Sequence, residues 1–137
     1  MLLISLVCYG AIAFISLIFG IIYLTRSQFM PYHSLALAKS WELVEENTQT
    51  LILALMRVAG GGFVATGMAI VILLCIPFQA GESWANYSIF LISLVTSISS
   101  CYATFLVASR TPGNPPLWLS LATVVLSIIG FASSLLG

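Results

Sequence analysis

The stretch LILALMRVAGGGFVATGMAIVILLCI, Leu51 to Ile76, holds a single charged residue, Arg57, in 26 positions. A helix needs roughly 20 apolar residues to cross a hydrocarbon core of about 30 Å, so this run is long enough to span a bilayer. The same reading applies at three other places: about Leu2 to Leu24, Tyr87 to Ala108 and Leu117 to Leu136. Across all 137 residues there are 4 Lys+Arg and 4 Asp+Glu, so 6% of side chains are charged while 61% are hydrophobic. Soluble domains carry about a quarter charged residues, and eight charges do not dress a soluble surface. The fold class expected is an all-α membrane protein, a four-transmembrane-helix bundle forming one membrane domain over residues 1–137. The balanced charge offers no field for a polyanion, which argues against nucleic acid as a partner.

The segments between the spans carry the punctuation. Arg26 closes the first run, and Pro31 disfavours helix at Met30. From about Ser34 to Asn47, Leu37, Trp41 and Val44 recur at spacings of four and three, while Lys39, Glu42, Glu45 and Glu46 lie largely elsewhere around the wheel. That pattern predicts a short interfacial amphipathic helix between spans one and two. Residues 77–84 and 110–116 are rich in Pro and Gly and read as loops. Trp41, Trp84 and Trp118 fall where spans meet loops and are expected at headgroup level. Arg26 and Lys39 in the first connection and Arg110 in the third, against no Lys or Arg in the second, place the odd-numbered connections in the cytoplasm and the termini on the other side. The first apolar run is longer than the roughly 7–15 residues of a signal-peptide core and has no basic residue before it, so it is expected to be a retained span.

Three features bear on chemistry. Arg57 is an ionisable group inside a span, which marks a functional-site hypothesis. Its depth, about 9 Å below Leu51 at 1.5 Å per residue, also allows it to snorkel or to pair with Glu45 or Glu46. In an antiparallel bundle Thr104, Thr123 and Gly20 are expected near its level. Gly60, Gly61 and Gly62 permit close helix approach, and Gly61 shares a face with Arg57. Ser93, Thr96, Ser97, Ser100 and Thr104 mark one face of the third span, either a helix–helix seam or the wall of a polar pathway. The ligand-binding candidates are therefore Arg57, Gly61 and Thr104. Gly60, Gly62, Ser93, Thr96, Ser97 and Ser100 are the packing candidates. Cys8, Cys75 and Cys101 form no CxxC pair, and His33 is the sole histidine. A zinc site or a bis-histidine haem within the chain is not expected, and neither metal nor cofactor is assigned.

The run Phe29-Met30-Pro31-Tyr32-His33, then Trp41-Glu42, then Leu55-Met56-Arg57-Val58-Ala59-Gly60-Gly61-Gly62, resembles small four-span bacterial inner-membrane proteins grouped as a domain of unknown function. Tyr102-Ala103-Thr104 and Arg110-Thr111-Pro112 fit the same layout. The resemblance implies a four-helix membrane fold and a bacterial inner-membrane location, and it implies no activity. Three functions remain open on the residues. One is an accessory or assembly subunit, with a membrane-protein partner or a second copy of the chain beside the lipid bilayer. Another is a small transporter or lipid- or anion-binding protein using Arg57. An enzyme is the third and has the least support, because no cluster of His, Asp, Glu or Cys is demanded by spacing.

Overall fold

The computed structural model describes residues 2–136. Four long helices run antiparallel: α1 (Leu2–Thr25), α3 (Glu46–Leu73), α4 (Ser83–Arg110) and α5 (Leu117–Leu135), with a short α2 (Pro31–Leu37) after the first. All four long helices are long and apolar enough to cross a membrane. The chain is thus a four-helix bundle with the layout of a multi-pass membrane protein.

The distribution of side chains supports that environment. Leu3, Val7, Phe14, Leu55, Val58, Val95 and Trp118 point outward and are exposed, whereas Ser5, Ser16, Ser93, Ser97, Ser120, Thr123, Ser127 and Ser133 are buried. A water-soluble bundle would reverse this arrangement. In lipid, tails solvate the outer aliphatic faces, and small hydroxyl residues let the helices approach from inside.

Each long helix has its own reason to begin and end. The second span extends from Glu46 through a wide turn at Leu74–Phe78 that contains Pro77. Proline has no N–H to donate and its ring crowds the carbonyl four residues back; a widened turn relieves both. Gly81, at φ +79°, then reverses the chain into α4.

The segment between spans one and two departs from the single amphipathic helix expected over 34–47. It comprises the seven residues of α2, a break, and one tight turn at Trp41–Leu43. The break falls at Ala38, which takes a left-handed conformation (φ 51°) while Ser34 Oγ donates to the Lys39 carbonyl at 2.8 Å. The reason is visible in what Trp41 touches. Its ring meets Phe29 edge-on with centroids 4.9 Å apart, beside a small core of Phe29, Val44 and Met56. Packing inward over the end of α3 wins over lying flat along the interface. Gln49 Nε2 secures the turn by donating to the carbonyls of Trp41 (2.7 Å) and Val44 (3.1 Å).

Trp84 and Trp118 stand exposed at the starts of α4 and α5, at opposite ends of the bundle.

Candidate functional site

α1 packs against α3 more closely than against any other helix. Glycines set that distance. A Cβ placed on Gly20 would sit 2.9 Å from the Gly60 carbonyl, and one on Gly60 would sit 2.9 Å from the Gly20 carbonyl. Gly67 meets Leu17 and the Ala13 carbonyl in the same way one heptad further along. The three consecutive glycines therefore do different things. Gly60 is the contact, while Gly61 and Gly62 are exposed and a Cβ on either would meet nothing within 4 Å.

Arg57 lies at the end of this seam. Its Nη1 donates to the Tyr23 carbonyl and its Nη2 to the Arg26 carbonyl, both at 2.6 Å. These carbonyls belong to the last turn of α1 and the residue after it, where a helix leaves acceptors without intrahelical partners. A guanidinium there satisfies the acceptors and sits at the negative end of the helix dipole. The structure thus brings Arg57 to the end of α1, and it separates the three residues the sequence grouped together. Arg57 ties α3 to α1, Gly61 faces outward, and Thr104 lies inside the bundle.

Thr104 belongs to a different feature. A cavity of about 380 Å³ opens among α1, α3, α4 and α5. One wall is the hydroxyl face of α4, Thr96, Ser97, Ser100 and Thr104. Ser93 is fully buried below it, in the seam. The opposite wall is Ile12, Ile15, Ser16 and Phe19 of α1 with Phe63 of α3, and α5 contributes Leu119, Ser120 and Thr123. Thr66 and Thr96 hydroxyls lie 3.3 Å apart across α3 and α4, and Thr104 and Ser120 hydroxyls 3.2 Å apart across α4 and α5. Ala59 of α3 and Ser99 and Ala103 of α4 line the cavity and are exposed, so the cavity is open where these two helices face each other.

The odd-numbered connections roof it. Tyr23, Tyr32, His33, Pro115 and Pro116 form the roof. Gly113 lets the 111–116 loop press on α2: a Cβ there would fall 2.9 Å from the Tyr32 carbonyl. The Tyr23 and Tyr32 hydroxyls share a hydrogen bond. His33 Nδ1 accepts from the Met30 N–H at 3.3 Å. Burial, together with the hydrogen bond to Tyr23, pushes the Tyr32 phenol up, and burial pushes the His33 imidazole down. Both side chains are therefore neutral at physiological pH. The residues lining the cavity include no Asp, Glu, Lys or Arg.

Two parts of this site escaped the sequence reading. The row Ser120, Thr123, Ser127, Gly130 and Ser133 of α5, of which the sequence reading named Thr123 alone, is buried throughout; its spacings of three and four carried the signal. His33 stands outside the helix expected over 34–47, because the contact that folds α2 over the bundle lies outside local sequence. At the far end, the Tyr9 hydroxyl donates to Asn86 Oδ1 at 3.0 Å within the core, joining α1 to the start of α4. Among the described residues no group of three or more His, Cys, Asp or Glu lies close enough together to hold a metal ion.

Compared with known protein families, curated proteins and solved structures, the chain matches none.

Proposed function

We propose that the chain is a multi-pass protein of a bacterial inner membrane that binds a lipid-class amphiphile in the cavity between its helices. The observation that carries this reading is the sideways opening past Ala59, Ser99 and Ala103, which faces the bilayer rather than water. A site filled from lipid needs apolar walls and an entry at membrane depth, and this cavity has both. Its volume lies at the lower end of the roughly 300–1,000 Å³ of small-molecule sites. That size suits one chain or one ring system rather than a whole two-chain phospholipid. Arg57 serves in this reading as the clamp holding α1 and α3, not as the ligand's counter-ion. The roof formed by the two odd-numbered connections faces the cytoplasm, and the termini lie on the opposite side.

Photolabelling of the protein in lipid nanodiscs with an alkyl diazirine is the test. Adducts mapped to Thr96, Ser97, Ser100, Thr104 and Phe63 are expected. Adducts confined to outward residues such as Val95 and Tyr102 overturn the reading.

A second reading, an accessory or assembly subunit, is favoured by a shallow apolar groove on the outer face of α4 and α5, lined by Tyr102, Phe105 and Leu121 among others. A transmembrane helix of a partner or of a second copy suits that groove. Recovery of the chain only as a free monomer after crosslinking in native membranes overturns it.

A further inference from the structure

The roof of the cavity contains hydrogen-bond donors and no charge. His33 Nδ1 is engaged as an acceptor by the Met30 N–H, so the neutral ring carries its proton on Nε2. That Nε2–H has no partner among the described residues and is not sealed away, since the one buried, unpartnered side-chain atom among them is Ser5 Oγ. In the tyrosine pair one hydroxyl donates to the other, and whichever accepts keeps its own proton free. Two free donors are thus present at the roof, on side chains that line the cavity.

The deep end carries a second polar spot. Ser16 of α1 and Ser97 of α4 are 6% and 4% exposed, line the cavity, and have no hydrogen-bond partner among the described residues. Along α1, Ser16 lies seven residues from Tyr23, or about 10 Å at 1.5 Å per residue. Between these ends the walls are Phe19, Phe63, Ile15 and Leu119. The two cations at this level, Arg57 and Arg26, do not line it, and Arg57 is committed to backbone carbonyls.

From this arrangement we infer that the occupant is an uncharged amphiphile with a hydrogen-bond-accepting head, a ketone, quinone or ester carbonyl, seated under His33 and the Tyr23–Tyr32 pair. This rests on the cavity being the binding site. An ionised head placed here would lose its hydration with no opposite charge to replace it, a penalty that a neutral carbonyl avoids. A carbonyl oxygen also accepts the two roof donors without requiring either to be deprotonated. The Ser16 and Ser97 hydroxyls meet a second polar atom where the ligand has one, as a ring with two carbonyls does.

The test uses three diazirine probes of equal chain length in nanodiscs containing the full chain: a long-chain methyl ketone, an alkyl sulfonate and an alkyl trimethylammonium. The ketone is expected to label Thr96, Ser97, Ser100 and Thr104 at least tenfold more than either charged probe. His33→Phe and the double variant Tyr23→Phe/Tyr32→Phe are each expected to reduce ketone labelling severalfold while the folded protein is retained. Should His33→Phe fail to fold, the double tyrosine variant decides, because it removes both hydroxyls and keeps the rings. Equal or stronger labelling by a charged probe overturns the neutral-head inference and leaves the cavity reading intact. Ketone labelling unchanged in His33→Phe and in Tyr23→Phe/Tyr32→Phe does the same. Absence of cavity labelling by all three overturns both.

Discussion

α1 meets its neighbours in opposite ways, and small residues are responsible on both sides. Toward α3, Gly20, Gly60 and Gly67 have no side chain, so backbones touch and the seam is closed. Toward α4, Ser16, Ser97, Ser100 and Thr104 have short side chains, and α1 and α4 scarcely touch, leaving the cavity. Small residues thus permit approach but do not compel it. Whether the space closes depends on what else crosses it. At the α1–α3 seam Arg57 clamps the open end, whereas α4 lies across the bundle from α1 and packs on α5, where the Thr104 and Ser120 hydroxyls meet.

The sharpest way to break this comparison is to fill the closed seam. Gly60→Val puts a branched side chain against the Gly20 carbonyl and the Leu24 backbone N, neither of which can swing aside. A loss of about 3 kcal/mol or more is expected, at or beyond the usual range for overpacking, read as a lowered midpoint in denaturation from detergent. Gly61→Val, one residue along and facing outward, is expected to change stability by no more than about 0.5 kcal/mol. Equal effects at the two positions would remove the distinction between them.

Next in size is the clamp. Arg57→Gln loses two charge-assisted hydrogen bonds to the end of α1 and leaves two carbonyls at membrane depth with weaker partners. A cost of about 2–3 kcal/mol is expected. Arg57→Lys is expected to fall between, since an ammonium does not reproduce the fork that reaches both carbonyls. In either variant, cavity labelling of the folded protein should persist. Loss of labelling without loss of stability would make Arg57 a ligand residue after all.

These expectations also show where sequence sufficed. The four spans were legible because bilayer thickness fixes how long an apolar run must be, and runs such as Leu51 to Ile76 satisfy it regardless of tertiary contacts. The division of labour among Gly60, Gly61 and Gly62 was not legible. It depends on which face of α3 meets Gly20, and three adjacent glycines carry no facial signal of their own. Arg57 was visible as the one charge within a span, but its partners are main-chain carbonyls, which no residue type announces. The break at Ala38 was hidden for a related reason. The amphipathic spacing of Leu37, Trp41 and Val44 is equally consistent with a helix and with a chain folding Trp41 onto Phe29. The hydroxyl face of α4 was legible as a face; its role as a cavity wall required knowing how far away α1 stands.

The open side is tested most directly at its entrance. Ala103 lines the cavity and is exposed at the gap between α3 and α4, so Ala103→Phe obstructs entry without entering the closed seam. Its stability is expected to stay within about 1 kcal/mol of wild type. The decisive measurement is native mass spectrometry of wild type and Ala103→Phe released from native membranes, with Gly61→Phe as a control on the outward face. Retention of a discrete lipid-mass adduct by wild type and Gly61→Phe, and its loss from Ala103→Phe, is the predicted result. Equal retention by all three proteins, or an adduct on none, contradicts a lipid-class occupant entering between α3 and α4.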